Sequence, residues 1–280
     1  KVNLTLKVAR PRADGYHPLQ SVVAFADVGD IVEAELSEGL ALDLHGDCAE
    51  GLSTGSDNLV VRAAIALAEA AGVKPHARLS LQKDLPIASG VGGGSSDAAA
   101  TLIALSKLWN LNWPPLRLAE VGKKLGADVP VFFAGGGVAY MTGVGERYAR
   151  VRAPAFSAVL INPLRSLSTP SVYGEFDRMG LGSQLDADSD PPAWASEAEA
   201  IAAMRAAGND LEPAASSLMP LIAEIIGELR ALEQVRHAAL SGSGATVFAL
   251  VENAARAELL AEELIGRHPD WWIRDATLGA

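Results

Sequence analysis

Between Pro86 and Asp97 the chain reads Pro-Ile-Ala-Ser-Gly-Val-Gly-Gly-Gly-Ser-Ser-Asp and runs straight into an Ala-rich stretch. No other segment narrows the choice of fold so far. Gly92, Gly93 and Gly94 tolerate positive φ and carry no Cβ, so backbone N–H groups can converge on a ligand. A helix starting at such a loop adds unpaired N–H groups and partial positive charge, which suit phosphate oxygens. Ser95 and Ser96 add hydroxyl donors. No G-x-x-x-x-G-K-[ST] occurs, so this is not a Walker A loop, and the serines depart from the spacing of a dinucleotide fingerprint. A flexible Gly-Ser linker with Asp97 as helix cap is the competing reading. It fits poorly between a strand and an Ala-rich helix.

The flanking pattern is mixed. Val2, Leu4, Leu6 and Val8 alternate with more polar residues, the period-2 mark of a half-buried strand over residues 1–9. Leu19 to Ala26, Ile31 to Leu36, Leu40 to Leu44 and Ala77 to Gln82 read as further strands. Leu59 to Ala71 has helical spacing with Asp57 placed to cap it, and Ala98 to Trp109 and a segment from Pro114 to about Leu125 read as helices. Val129 to Phe133 and Gly137 to Met141 each fit a strand or a buried apolar turn of helix. The organisation changes near Pro154, which divides the chain into lobes of residues 1–153 and 154–280. In the second lobe, strands at Ser157 to Ile161, Ala245 to Val251 and Trp271 to Leu278 interleave with helices at Leu218 to Leu232 and Ala254 to Ile265. That order predicts an antiparallel sheet with helices on one side, an α+β arrangement. Residues 178–200, with Asp186, Asp188, Asp190, Pro191 and Pro192, read as a mobile acidic insertion.

Charge and composition exclude several functions. A net charge of -11 argues against a general nucleic-acid surface, which needs clustered Lys and Arg. Lys1, Lys7, Arg10 and Arg12 concentrate positive charge at the amino end, which suits either a phosphate-handling pocket or a solvated strand edge. The single Cys48 cannot form an internal disulfide, and the five histidines show no metal-binding spacing, so no metal site is expected from protein ligands. No apolar run is long enough to span a bilayer, and Lys1 to Leu6 lack the core of a signal peptide. A cytoplasmic protein is expected. The chain opens on Lys1 rather than Met, so upstream residues are expected too.

Three other segments carry chemistry. In Leu125-Gly126-Ala127-Asp128-Val129-Pro130, Asp128 either caps a turn or is an enclosed carboxylate that accepts a substrate proton as a hydroxyl attacks a phosphoryl group. The second role needs a nearby cation to keep it ionised, and Lys1 is the candidate. Ser241-Gly242-Ser243-Gly244-Ala245 is either a tight turn or a close backbone approach to a ligand. Asp14-Gly15-Tyr16-His17 places an aromatic ring beside an imidazole, as a structural turn or as a pair that stacks on and hydrogen-bonds a planar base.

Taken together these segments resemble the GHMP kinase superfamily. The opening K-[LV]-N-L is Lys1 to Leu4, R-x-D-G-Y-H is Arg12 to His17, and D-N-L-[IV]-x-[RK]-A is Asp57 to Ala63. The loop is Pro86 to Ala98, L-G-A-D-V-P-[VF]-F is Leu125 to Phe132, and the final S-G-[ST]-G-[AS] is Ser241 to Ala245. Ala88-Ser89-Gly90-Val91 departs from the further glycine, or Ala-Gly, then Leu more usual there. The R-x-D-G-Y-H segment selects the branch that acts on a cytidine-diphosphate-linked polyol. The resemblance implies a lobe like ribosomal protein S5 domain 2 followed by a ferredoxin-like lobe. It implies transfer of the ATP γ-phosphate to the 2-hydroxyl of cytidine-diphosphate-linked methylerythritol, with Mg2+, in isoprenoid precursor synthesis, by a monomer or weak homodimer. Asp128 would be the base and Lys1 its charged partner, and Asn3 would shape the substrate site. Tyr16 and His17 would contact the cytosine, Tyr173 would stack on its other face, and Gly242, Ser243 and Gly244 would approach the substrate. Asn58, Lys83, Pro86, Gly90, Gly92, Gly93, Gly94, Ser95 and Ser96 would serve ATP.

Overall fold

The computed structural model describes residues 1–186 and 190–280. They form two compact units that interleave along the chain. Lys1–Val28, Ala88–Val91 and Gly136–Ala280 make one, and Gly29–Ile87 with Gly92–Gly135 make the other. The change of organisation expected near Pro154 falls within the first unit, between the strands Arg147–Val151 and Phe156–Asn162.

The first unit carries two sheets. In one, Leu19–Ala24 pairs antiparallel with Val2–Asn3 and Lys7–Val8 on one side and with Val138–Thr142 on the other, and Arg147–Val151 extends it. The single strand expected over residues 1–9 is therefore two short ones. The N–H groups of Leu4 and Thr5 both donate to the Val22 carbonyl, at 2.8 and 3.3 Å, so two residues oppose one and the ladder bulges. The other sheet, in the order His237–Leu240, Val247–Val251, Phe156–Asn162, Trp272–Leu278, is antiparallel throughout, as the sequence predicts. One of its faces, including Val159, Ile161, Val247 and Ala249, shares a core with Ile222, Ile225, Leu229, Leu260 and Leu264 of the helices Leu221–Ala231 and Ala254–Arg267. Each buried Val, Leu or Ile side chain there contributes about 1.5–3 kcal/mol by leaving water.

Several elements differ from expectation. The helix expected over 218–232 is present as Leu221–Ala231, starting after Pro220, and a separate helix, Glu212–Leu218, precedes it. Thr169–Arg178 and Glu197–Ala207 are helices that bound the expected insertion at residues 178–200. The described part of that stretch is tied down: Ser183 donates its N–H to Val8 at 2.8 Å, and Trp194, buried, donates to Arg152 at 2.9 Å. Asp188, counted in the acidic run, lies outside the described residues.

The second unit is a three-stranded sheet under helices. Ala77–Gln82 is central, antiparallel to Ile31–Glu35 and parallel to Leu40–His45. Leu42, Leu79 and Leu81 share a core with the helices Leu59–Ala71, Gly93–Leu108 and Pro115–Gly122. Asn58, not Asp57, caps the first of these helices, while Asp57 accepts the Ser53 hydroxyl at 2.6 Å. The loop's helix begins at Gly93 rather than Ala98, and Val129 to Phe133 becomes a 3-10 turn at Pro130–Phe133. Among the described residues, no helix is long and apolar enough to cross a membrane.

Candidate active site

The glycine loop ends where the second unit's central strand hands over to a helix. Gly92 holds φ +71°, a left-handed conformation that a side chain would strain, and serves as the N-cap of Gly93–Leu108. The first intrahelical bond runs from Ser96 N–H to Gly92 carbonyl at 2.9 Å, and the Ser96 hydroxyl turns back to the Gly93 carbonyl at 2.7 Å. The N–H groups of Gly93, Gly94 and Ser95 thus precede the helical ladder and are available to an anion. The two helix glycines are also fixed by packing. A Cβ on Gly93 would sit 3.0 Å from Lys83 Nζ, and one on Gly94 would sit 3.2 Å from Leu59 Cδ1.

Lys83 lies beneath this start. Its ammonium pairs with Asp30 in a short contact and with Asp97 at 3.0 Å, and all three side chains are almost fully buried. Asp30 Oδ1 also accepts the N–H groups of Asp84 and Leu85 at 2.7 and 2.8 Å, fixing the turn that leads into Pro86. Asp97 is the fifth residue of the helix and caps nothing. Burial, more than the repulsion of Asp30, pushes its carboxyl up to about 7 against the pull of Lys83. Asn58 is half-buried: its Oδ1 accepts the Val60 N–H at 2.9 Å and its Nδ2 donates to the Ser53 carbonyl at 2.7 Å. Asp128 is half-buried on the turn before Pro130, where Val129 donates back to Gly126 at 3.2 Å. Val129 and Val131, both fully buried, anchor that turn in the core.

In the first unit, the amino-terminal strand, the start of the loop and the Ser241–Ala245 turn meet. Lys1 donates its backbone nitrogen to Val91 at 3.0 Å and its Nζ to Asn3 Oδ1 at 2.8 Å. Asn3 is buried: its N–H donates to Ser241 Oγ at 3.1 Å and its Nδ2 to Ser21 Oγ at 2.7 Å. Thr246 N–H donates to the Ser89 carbonyl at 3.0 Å, so the turn is stitched to the loop entrance backbone to backbone. Gly242 and Gly244 are small because other backbones and side chains crowd them: a Cβ on Gly242 would lie 2.9 Å from the Gly90 carbonyl, and one on Gly244 would lie 3.0 Å from Leu240 Cδ1. Ser243 Oγ shares a hydrogen bond with Thr169 Oγ1 at 2.8 Å.

Tyr16 is 61% exposed, whereas the neighbouring His17 packs its ring 4.8 Å from that of Tyr173 and 6.0 Å from that of Phe176. His17 Nε2 lies 2.8 Å from Asp177 Oδ1, which holds the ring's orientation. The cationic cluster of the amino end is dispersed: Lys7 pairs with Asp210 at 2.7 Å and Arg12 with Asp14. Asp30, Ser21, Ser241, Phe176 and Asp177 join the expected residues through contacts distant in sequence. Only the position of Ser241 in its motif could have drawn attention. Among the described residues, no three His, Cys, Asp or Glu side chains are placed to hold a metal ion.

The GHMP kinases N terminal domain matches residues 58–136, and the GHMP kinases C terminal domain matches residues 193–270. The chain is 46% identical over 283 residues to the 4-diphosphocytidyl-2-C-methyl-D-erythritol kinase of Cereibacter sphaeroides (strain KD131 / KCTC 12085), covering 99% of this chain and 96% of that one. It is 41% identical over 284 residues to the same-named protein of Bradyrhizobium sp. (strain ORS 278), covering 99% and 94%. A crystal structure of 4-(cytidine 5'-diphospho)-2C-methyl-D-erythritol kinase superposes with a TM-score of 0.77 at 34% identity, over 100% of this chain and 97% of that one. Homoserine kinase from Cytophaga hutchinsonii ATCC 33406 shares the fold, with a TM-score of 0.69 at 17% identity over 98% and 94%.

Proposed function

The chain belongs to the GHMP kinase family, among the 4-diphosphocytidyl-2-C-methyl-D-erythritol kinases, and from that premise we propose how its residues move a phosphoryl group from ATP to the substrate's 2-hydroxyl, a step of isoprenoid precursor synthesis. The observation that carries this reading is the helix start at Gly92–Ser95, where a left-handed glycine and side-chain-free neighbours leave N–H groups for polyphosphate oxygens. Pro86 and Gly90 set the entry of that loop, Ser95 and Ser96 bound its far side, and Asn58 and Lys83 hold the elements that flank it. Lys83 acts from below, since its ammonium is occupied by Asp30 and Asp97.

Phosphoryl transfer asks little covalent chemistry of a protein and much positioning. Asp128, fixed on a turn anchored by buried valines, accepts the proton of the 2-hydroxyl as its oxygen attacks the γ-phosphorus, and ADP leaves. Lys1 supplies positive charge to the reaction, and Asn3, which orients the Lys1 ammonium, shapes the substrate site. Tyr16, His17 and Tyr173 bind the cytosine: the exposed Tyr16 ring has a face to offer, and Tyr173 already lies against His17. Gly242, Ser243 and Gly244 line the approach. Mg2+ would be bound together with the nucleotide's phosphates at the loop. When bound, it neutralises charge on the transferring group. The protein works as a monomer or weak homodimer in the cytoplasm.

The test is phosphate transfer from ATP to a panel of alcohols. Turnover restricted to the cytidine-diphosphate-linked polyol is expected. Equal turnover of mevalonate, homoserine or a sugar would remove the cytosine from the reading, and no ATP consumption with any acceptor would remove the kinase.

A further inference from the structure

We propose that the buried Asp30–Lys83–Asp97 cluster couples proton uptake to nucleotide binding, Asp97 taking a proton from solvent as polyphosphate settles on the start of the Gly93–Leu108 helix. The inference rests on the reading of the glycine loop as the phosphate site. It begins with a charge count. Two carboxylates face one ammonium, with side-chain exposures of 0% for Asp30, 3% for Lys83 and 5% for Asp97. With all three ionised, one negative charge is uncompensated where little water reaches it, at a cost of several kcal/mol. Protonating one carboxylate removes that excess.

The hydrogen bonds identify which one. Asp30 accepts from two backbone N–H groups and from Lys83, so three donors already occupy its oxygens. Asp97 accepts from Lys83 at 3.0 Å, and its side chain also meets that of Asp30, a contact that favours a proton on Asp97. Burial first, and Asp30 second, raise Asp97 to about 7. The other charges on neighbouring elements point away. Asp84 turns to Gln82 at 2.9 Å and Asp43 to Arg78 at 2.7 Å. Glu33 and Glu35 on the adjoining strand, Arg62 and Glu69 on one helix, Arg117 and Glu120 on another, and Lys107 on the same helix as Asp97 are all exposed.

The cluster touches the loop itself. A Cβ on Gly93 would lie 3.0 Å from Lys83 Nζ and 3.5 Å from Asp30 Oδ2, so the helix's first residue rests on the cluster. Without ligand, the partial positive charge of the helix start favours Asp97 as carboxylate. A bound polyphosphate claims those same N–H groups and repels the carboxylate from one turn away. One proton then moves from bulk water to an Asp97 oxygen, and the cluster passes from a charge of minus one to neutral. Asp97 is thus a positioning residue that matches the cluster's charge to the state of the loop.

Calorimetry of a magnesium-bound, non-hydrolysable ATP analogue, run in buffers of different ionisation enthalpy near neutral pH, counts protons taken up. Wild type is expected to take up roughly half a proton more per nucleotide than Asp97→Asn, with an affinity that falls about tenfold between about pH 6 and 9. The variant keeps the shape of Asp97 and its acceptor for Lys83, and its affinity should change little over that range. Equal proton uptake by both proteins overturns the inference. Should the variant fail to fold, the carboxyl carbon resonance of Asp97 in the wild-type chain decides the matter. A midpoint near neutrality that rises by about one pH unit with the analogue supports the coupling, and an unmoved midpoint overturns it. If the analogue leaves the amide resonances of Gly93, Gly94 and Ser95 unshifted, the loop reading fails and takes this inference with it. If those amides shift and Asp97 does not respond, the inference alone fails.

Discussion

Gly90 and Ser241 lie backbone against backbone: Ser241 Oγ donates to the Gly90 carbonyl at 3.2 Å, and a Cβ on Gly90 would overlap the Ser241 carbonyl oxygen. The same Cβ would stand 2.8 Å from the Gly244 carbonyl, and Gly90 holds φ +78°. Nothing flexible is there to yield. Gly90→Ala should therefore destabilise the first unit by about 2–4 kcal/mol, combining left-handed strain with a backbone clash. Chemical denaturation reads this directly, and an unchanged midpoint would show that the loop entrance and the turn are not held together.

Asp128→Asn tests the base. The turn that presents residue 128 is anchored by Val129 and Val131, both fully buried, so the amide should stand where the carboxylate stood. Turnover should drop by about 10²–10⁴, the usual worth of a positioned general base. ATP-analogue affinity should stay within about twofold, because the groups assigned to the phosphates are elsewhere in sequence. Equal losses of turnover and nucleotide affinity would make Asp128 structural.

Tyr16→Ala separates recognition from stability. A side chain on a residue 61% exposed contributes little to the fold, so the melting temperature should hold. Loss of a stacking partner worth about 0.5–1.5 kcal/mol should weaken binding of the cytidine-linked substrate by up to about tenfold, with ATP binding spared. Substrate affinity equal to wild type would take Tyr16 out of the site.

What the sequence disclosed and withheld follows from the range of the forces involved. The loop was legible because three consecutive glycines before an Ala-rich helix state a backbone requirement locally, and Gly92 does adopt positive φ. The antiparallel sheet of Phe156–Asn162, Val247–Val251 and Trp272–Leu278 was legible because apolar runs bounded by turn residues are local too. The helix start was misplaced because glycine propensity pointed to a loop through Asp97, while contacts of Gly93 with Lys83 and of Gly94 with Leu59 fix a helix there. Thr169–Arg178 was missed because it buries only Val172, Glu175 and Phe176, too sparse an apolar stripe to announce a helix. Asp30 and Asp177 gave no signal at all. Their partners, Lys83 and His17, stand 53 and 160 residues away, and only the folded chain brings them together.

His237 supplies a test of acid stability that is independent of catalysis. It lies in the strand His237–Leu240, 8% exposed, with its ring edge toward Phe248 at 5.8 Å and its Nε2 without a hydrogen-bond partner among the described residues. Burial first, then the charges of Arg230 and Arg205, lower its pKa from 6.5 to about 4. The native state therefore holds the neutral ring, while the unfolded chain protonates at the ordinary value. The stability this confers on the neutral form is complete above about pH 6.5 and is lost as pH falls toward about 4, a loss of about 3 kcal/mol at 1.36 per unit. His237→Phe keeps an aromatic ring against Phe248 and removes the titrating group. Its melting temperature should match wild type within a few degrees at about pH 8 and exceed it below about pH 5, where only wild type pays the protonation cost. Parallel loss of stability in both proteins on acidification would assign the acid transition to other groups.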